Sequence, residues 1–432
     1  MDWLIAPGGT LRGEARVPGD KSISHRAVML GALALGRTQV AGFLPGEDTL
    51  NTMRAFQAMG VGIERISSDA LTIDGLGLRG LKAPAQSIDC GNSGTGMRLL
   101  CGLLAGQSFA TELIGDASLS NRPMRRVTDP LRSMGADIEA RAEELAPLRI
   151  KAVPSLRAIS YQSPMASAQV KSALLLAGLY ADGPVSVHEP KATRDHSERM
   201  LSAFGARLEC VGTRATVWPD PKLFGQSISV PSDISSAAFF LVGAAISSGS
   251  NVLLRAVGMN PRRTGIIDCL RDMGARIDVE SQSMEGGEPV ADLRVRGAAL
   301  RGIRVPESRV PDMIDEFPTL MVAAACADGD TTISGAEELR VKESDRLAAM
   351  SLGLRALGIE VEEQPDGATI RGGTLKGGII DSRGDHRIAM SFAMAGLRAQ
   401  HEIKVLDCKN VDTSFPGFAQ LASSMGLSLS LC

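Results

Sequence analysis

The chain has 432 residues, enough for two or three domains at roughly 150 residues each, and its 44% hydrophobic residues can fill a core in each. A net charge of -3, from 46 Lys and Arg against 49 Asp and Glu, argues against bulk electrostatic attachment to nucleic acid. The 3% aromatic content excludes stacking platforms for bases, so with 47 Gly the cores must be built from Leu, Ala, Val, Ile and Met. Seven cysteines without a C-x-x-C pair and five scattered histidines form neither a disulfide framework nor a metal site, and read as those of a cytoplasmic protein. The opening MDWLIAPGG lacks the form of a signal peptide. No apolar run approaches the roughly 18 residues that span a bilayer.

In chain order, the strand-like segment DWLIAPG comes first and has no partner nearby. Six polar loops follow along the chain, each running into a strongly apolar helix: VPGDKSISHRAVMLGALA, DCGNSGTGMRLLCGLLA, SPMASAQVKSALLLAGL, VPSDISSAAFFLVGAAI, VPDMIDEFPTLMVAAACA and SRGDHRIAMSFAMAGL. Helices apolar on nearly every side must be buried, here enclosed by sheets. After each of these comes an amphipathic stretch that ends at a glycine: Gly60, Gly135, Gly205, Gly274, Gly358 and Gly426, spaced by 75, 70, 69, 84 and 68 residues. Each glycine sits where a helix C-cap hands over to a strand, as in AMGVGIE or DMGARID. A second alternating strand, LTIDG, LRIKA, ATVWP, LRVRG or ATIRG, follows the first five. The sixth lacks one, and DWLIAPG is its expected replacement.

The pattern predicts an α/β (α+β) protein of six βαββαβ-like units, each with one interior and one outer helix. The phrase Val-Pro-(Gly/Ser)-Asp at Val17–Asp20 and Val230–Asp233 divides them three and three. The expected domains are residues 20–230, and residues 1–19 together with 231–432, hinged near 18–21 and 229–233. Helix N-termini turned toward a shared cleft would trap anions.

The loops carry the polar chemistry. Lys21, Ser22, Ser24 and Arg26 lie at the start of the first helix, with Ser22 and Arg26 on one face; a helix capped by Asp20 or Ser22 with solvated cations has the same sequence. Asn92-Ser93-Gly94-Thr95-Gly96, with Arg98 next, either admits a ligand close to the backbone or is a glycine-rich cap. Arg122, Arg125 and Arg126 flank Pro123 as a surface charge run or as forks for phosphate and carboxylate. Ser167, Ala168 and Gln169 offer donors or a cap, and Thr193-Arg194-Asp195-His196 adds an arginine. Among Asp312, Asp315 and Glu316, one acid is expected to cap the helix, leaving another for proton transfer. The segment from Arg340 through Lys342 and Glu343 to Arg346 alternates in sign, as salt-bridged helix starts do. Asp385-His386-Arg387 stands directly before a buried helix and needs partners or a ligand. Gly75 to Gly80 matches G-x-G-x-x-G, but Pro84 follows and no helical pattern opens there, so the dinucleotide reading fails.

Taken together, GDKSISHR, GNSGTGMR, SNRPM, PMASAQVKSA, TRDHSE, MIDEFP, RVKESDR and DHRIAMS closely resemble the EPSP synthase (3-phosphoshikimate 1-carboxyvinyltransferase) family over essentially the whole chain. The resemblance implies the two-domain enolpyruvyl transferase fold, and transfer of the enolpyruvyl group of phosphoenolpyruvate to shikimate 3-phosphate in aromatic amino acid biosynthesis. It implies no metal, no organic cofactor, no nucleic acid or membrane partner, and a monomer. By motif, Lys21 would touch both substrates. Ser22, Arg26, Ser167, Ala168, Gln169, Arg194, Asp315 and Lys342 would hold shikimate 3-phosphate, while Gly94, Arg122, Gln169, Arg346 and Arg387 would hold phosphoenolpyruvate. Asp315 would take the hydroxyl proton, and Glu343 or Lys21 would protonate the methylene carbon. The run Asp412-Thr413-Ser414-Phe415-Pro416 lacks a lysine common in the family, Ala168 stands where a second serine is common, and Arg194 where a tyrosine is common. These departures resemble the divergent bacterial branch that includes glyphosate-tolerant enzymes. The alternatives are a UDP-N-acetylglucosamine enolpyruvyl transferase, which usually has a reactive Cys in the loop where residues 117–121 have none, and a non-catalytic binder of phosphorylated metabolites.

Overall fold

All six repeat glycines adopt positive φ, between 88° and 114°, a region that a Cβ disfavours and glycine enters without penalty. Each ends a helix, and a strand starts two or three residues later. In the computed structural model, which describes residues 1–432, twelve α-helices alternate between interior and outer positions. They are α1 (Lys21–Leu33), α2 (Glu47–Ala58), α3 (Gly94–Leu104), α4 (Arg125–Ser133), α5 (Ala168–Gly178), α6 (His196–Ala203), α7 (Ile234–Ile246), α8 (Gly265–Asp272), α9 (Phe317–Ala325), α10 (Arg346–Ala356), α11 (His386–Ala395) and α12 (Phe418–Ser424). Every residue of α7, α9 and α11 is buried, as helices apolar on all sides require. None is long and apolar enough to cross a membrane.

Each repeat runs strand, interior helix, strand, outer helix, then two strands, which corrects the expected βαββαβ order to βαβαββ. In the second repeat Ile88–Asp89 lies parallel to Thr111–Ile114, which pairs antiparallel with Leu145–Lys151 and through it with Asp137–Arg141. The leading strands span only two to four residues, as in Ile88–Asp89, Ser160–Gln162 and Gly378–Asp381, too few to display alternation. In the fifth repeat the leading segment is reduced to isolated bridges at Arg301 and Arg304.

The chain divides into two units, Gly19–Val230 with Glu285–Glu288, and Met1–Pro18 with Pro231–Met284 and Pro289–Cys432. The tip Glu285–Glu288 thus groups with the unit of residues 19–230, not with the strands that flank it, a departure from the expected boundaries. Ser229 Oγ donates to Glu285 at 2.8 Å, and His196 Nδ1 lies 2.7 Å from Glu288, which accounts for that grouping. Each unit has its own apolar core.

The leading strand of the first repeat is Ser227–Ser229, parallel to Leu35–Ala41 with Ile228 opposite Val40. That of the fourth is Arg12–Ala15, parallel to Asn251–Gly258. Trp3–Ile5 completes the sixth sheet, with Trp3 opposite both Val405 and Leu431. The scarce aromatics gather there: Trp3 stacks on Phe418 at 5.4 Å, and Phe239, Phe240 and Phe415 lie around Phe418. Gly19 is obligatory because a Cβ would sit 1.8 Å from the Gly42 carbonyl oxygen.

Candidate active site

In the unit of residues 19–230, the polar loops start α1, α3 and α5. Asp20 caps α1 by accepting from the Ile23 amide at 2.8 Å, leaving Lys21 in the first turn to pair with Asp48 at 3.0 Å. Arg26, one turn on, is buried: it donates to the Ser22 carbonyl at 2.9 Å, to Ser172 of α5 at 2.8 Å and to Ser197 of α6 at 2.7 Å. Burial, helped by Arg194 and opposed by Glu198 and Asp20, lowers Arg26 to about 10, so it stays a cation at neutral pH. His25 is fully buried between Thr52 and Ser93. Burial and the adjacent Lys21 and Arg26 push it down to about 3, so it is neutral.

The start of α3 lies under a pair of guanidinium groups. A Cβ on Gly94 would be 3.0 Å from Arg98 Nη1 and 3.3 Å from Arg122 Nη1. Arg122 is fixed by the Asn92 side chain at 2.5 Å, the Asn92 carbonyl at 3.3 Å and Ser118 at 3.1 Å. Arg98 donates to Gln169 Oε1 at 2.8 Å, and the Gln169 amide donates to Thr95 at 2.9 Å, so Gln169 ties α5 to α3. Ser167 caps α5 through the Val170 amide at 3.4 Å, placing Ala168 and Gln169 in its first turn. Lys171 is buried between Glu189 at 2.8 Å and Glu198 at 2.7 Å, and Thr193, next to Arg194, donates to Glu189 at 2.5 Å.

In the other unit, α9, α10 and α11 begin at one charged cluster. Arg346, 1% exposed, donates from Nε to Asp385 at 2.8 Å, from Nη2 to Glu343 at 2.5 Å and from Nη1 to Asp315 at 3.4 Å. Burial opposes the charge, but Asp385, Glu343 and Asp315 outweigh it and hold Arg346 well above its ordinary value. Asp385 caps α11 through the Arg387 amide at 2.9 Å. Although burial pushes its carboxyl upward, Arg346 and His386 hold it below the usual carboxylate range. Lys342 lies 3.8 Å from Asp315 and 3.6 Å from Glu338, while Arg387 donates to the Asp315 carbonyl at 3.1 Å. The Arg346 guanidinium, bonded to Asp385, Glu343 and Asp315, fixes the separation of the three carboxyl groups.

The residues singled out in the sequence therefore form two groups: Lys21, Ser22, Arg26, Gly94, Arg122, Ser167, Ala168, Gln169 and Arg194 in one unit, and Asp315, Lys342, Glu343, Arg346 and Arg387 in the other. The expectation that an acid of the fifth loop caps its helix is corrected. Glu316 occupies the cap position of α9 without a capping bond, and Pro318 in the first turn has no N–H to offer. Of the three arginines around Pro123, Arg122 alone is buried, whereas Arg125 faces Asp129 on the surface. Sequence reasoning assigned no site role to Asp48 or Arg263, and singled out Glu316 only as one of three acids that would supply a helix cap and a proton-transfer group. Asp48 and Arg263 gave no local signal, while Glu316 directly before an apolar helix did.

A family model described as EPSP synthase (3-phosphoshikimate 1-carboxyvinyltransferase) matches residues 5–421. The 3-phosphoshikimate 1-carboxyvinyltransferase of Methylococcus capsulatus is 60% identical over 427 residues, covering 99% of this chain and 98% of that protein. The one of Alkalilimnicola ehrlichii is 59% identical over 430 residues, covering 99% of this chain and 96% of that protein. A solved structure of EPSP synthase from Acinetobacter baumannii, 51% identical, superposes with a TM-score of 0.90 over 100% of this chain and 99% of that one. With a family match along nearly its whole length, relatives near this identity and the same fold, the chain belongs to the EPSP synthase (3-phosphoshikimate 1-carboxyvinyltransferase) family.

Proposed function

We propose that this chain transfers the enolpyruvyl group of phosphoenolpyruvate to shikimate 3-phosphate, forming 5-enolpyruvylshikimate 3-phosphate and inorganic phosphate, in the cytoplasm and as a monomer. The observation that carries the reading is the Arg346 guanidinium held between Asp315 and Glu343. It supplies two ionisable carboxylates beside a cation, as an addition followed by an elimination requires.

Arg26, Arg194, Asp315, Lys342, Ser22 and the α5 start at Ser167, Ala168 and Gln169 are assigned to shikimate 3-phosphate. Gly94, Arg122, Gln169, Arg346 and Arg387 are assigned to phosphoenolpyruvate, and Lys21 to both. Two anionic substrates repel each other, so fixed cations and helix N-termini must hold them in reacting geometry. Asp315 takes the proton of the attacking hydroxyl as its oxygen bonds to C2 of phosphoenolpyruvate. Glu343 or Lys21 delivers a proton to C3, giving a tetrahedral adduct. That group then recovers a proton from C3 as the C2–O bond to phosphate breaks. The proton held by Asp315 leaves with the departing phosphate, so both protein groups return to their starting states, and each proton transfer contributes roughly 10²–10⁴-fold.

Phosphate release from the two substrates tests the reading. Asp315→Ala should lower turnover roughly 10²–10⁴-fold. Phosphate release with UDP-N-acetylglucosamine instead, or none from the unaltered chain, would overturn it.

A further inference from the structure

Glu316, 1% exposed, lies beside the charged cluster and takes no part in the chemistry above. An N-cap favours Ser, Thr, Asp or Asn, and here the longer side chain makes no capping bond. Its carboxylate faces away from that role. Oε1 accepts a short hydrogen bond from Ser235 of α7 and lies 3.9 Å from both Arg263 and Arg387. Arg263, 3% exposed, donates from Nη2 to Ser235 at 2.7 Å and to Asp233 at 3.0 Å. Asp233 in turn caps α7 through the Ser235 amide at 2.8 Å, and its own amide donates to the Pro18 carbonyl at 2.9 Å.

A chain of buried polar contacts thus runs from Pro18 and Asp233 through Ser235 and Arg263 to Glu316, and ends at Arg387. Two buried guanidinium groups facing one carboxylate oxygen repel each other once that charge is removed, and Arg387 is held otherwise by the Asp315 carbonyl at 3.1 Å. Arg263 is committed to Asp233 and Ser235, so Arg387 is the one that must move.

We propose that Glu316 is a positioning residue: with Ser235 and Arg263 it sets the placement of the Arg387 guanidinium, and through it the affinity for the carboxylate- and phosphate-bearing donor. The inference rests on the assignment of Arg387 to phosphoenolpyruvate. A displacement of about 1 Å in such a clamp lowers efficiency by up to roughly 10²-fold. Removing the charge with shape retained should therefore affect the donor alone.

The experiment is steady-state phosphate release by Glu316→Gln, with each substrate varied at saturating levels of the other. The expected result is a KM for phosphoenolpyruvate raised roughly 10- to 100-fold, with the KM for shikimate 3-phosphate changed less than about twofold. Glu316→Asp, which keeps the charge, should recover part of the loss. In an Arg387→Lys background Glu316→Gln should add little, because residues that act through one another are not additive. An equal rise in both KM values, full additivity, or a donor KM unchanged in Glu316→Gln would overturn the proposal. If Glu316→Gln does not fold, Ser235→Ala decides, with a selective rise in the donor KM expected and no change overturning it. Absence of turnover in the unaltered chain would instead count against the assigned reaction, and direct binding of phosphoenolpyruvate to the same variants would still decide on Glu316.

Discussion

Gly94→Ala separates what stabilises the fold from what the site needs. Gly94 opens α3 with a negative φ, so alanine fits the backbone, and loss of unfolded-state freedom should stabilise by about 0.4–1 kcal/mol. The new methyl would lie 3.0 Å from Arg98 Nη1 and 3.3 Å from Arg122 Nη1, against about 3.5 Å for ordinary contact. Arg98 must therefore retreat by about half an ångström. It is held by Gln169 Oε1 at 2.8 Å, so the shift stretches that bond or drags Gln169. A bond to a charged group contributes about 1.5–3 kcal/mol, and loss of about 1 kcal/mol of it is roughly a fivefold change in affinity. The KM for phosphoenolpyruvate should rise by that factor, while glyphosate, a longer molecule crowded by the same methyl, should weaken more. Phosphate release measured against both ligands, with a thermal melt alongside, gives the numbers. Equal weakening of donor and inhibitor, or a melting point lowered by more than a few degrees, would refute the reasoning.

Lys171→Met should leave Glu189 and Glu198 buried without their cation and destabilise the unit of residues 19–230 by about 3–5 kcal/mol; urea denaturation showing less than about 1 kcal/mol would refute it. His25, pushed down to about 3 by burial, binds a proton in the unfolded chain near about pH 6.5 but not in the folded one. Its contribution is complete above about pH 6.5 and is lost as pH falls toward the folded value, about 2 kcal/mol between pH 7 and pH 5. His25→Gln should flatten that part of the stability profile, and an unchanged slope in melts at the two pH values would exclude His25 as its source.

The period of the fold was legible because it rests on a local requirement. A helix that ends in positive φ demands glycine wherever it recurs, and Gly60, Gly135, Gly205, Gly274, Gly358 and Gly426 meet that demand within their own few residues. The interior helices were legible for a similar reason, since α7, α9 and α11 have no polar face to turn to solvent. The order of strands was not, because Ile88–Asp89 and its counterparts are defined by the neighbour they pair with and carry too few residues to show a pattern.

The candidate residues were also readable by type and motif, as cations and hydroxyls at helix starts, and the carboxylates of Asp315 and Glu343 stood out before apolar or alternating runs. Their partners were not. Arg26 is held by Ser197, 171 positions away, Arg98 by Gln169, 71 away, and Glu316 by Ser235, 81 away. Such pairings exist only once the repeats have stacked their helix N-termini together. Sequence alone determined which groups are present and where each helix and turn begins, because those depend on nearby backbone and side-chain chemistry. The tertiary structure alone decided which charge faces which, because burial removes water as a competitor and leaves distant residues as the sole partners.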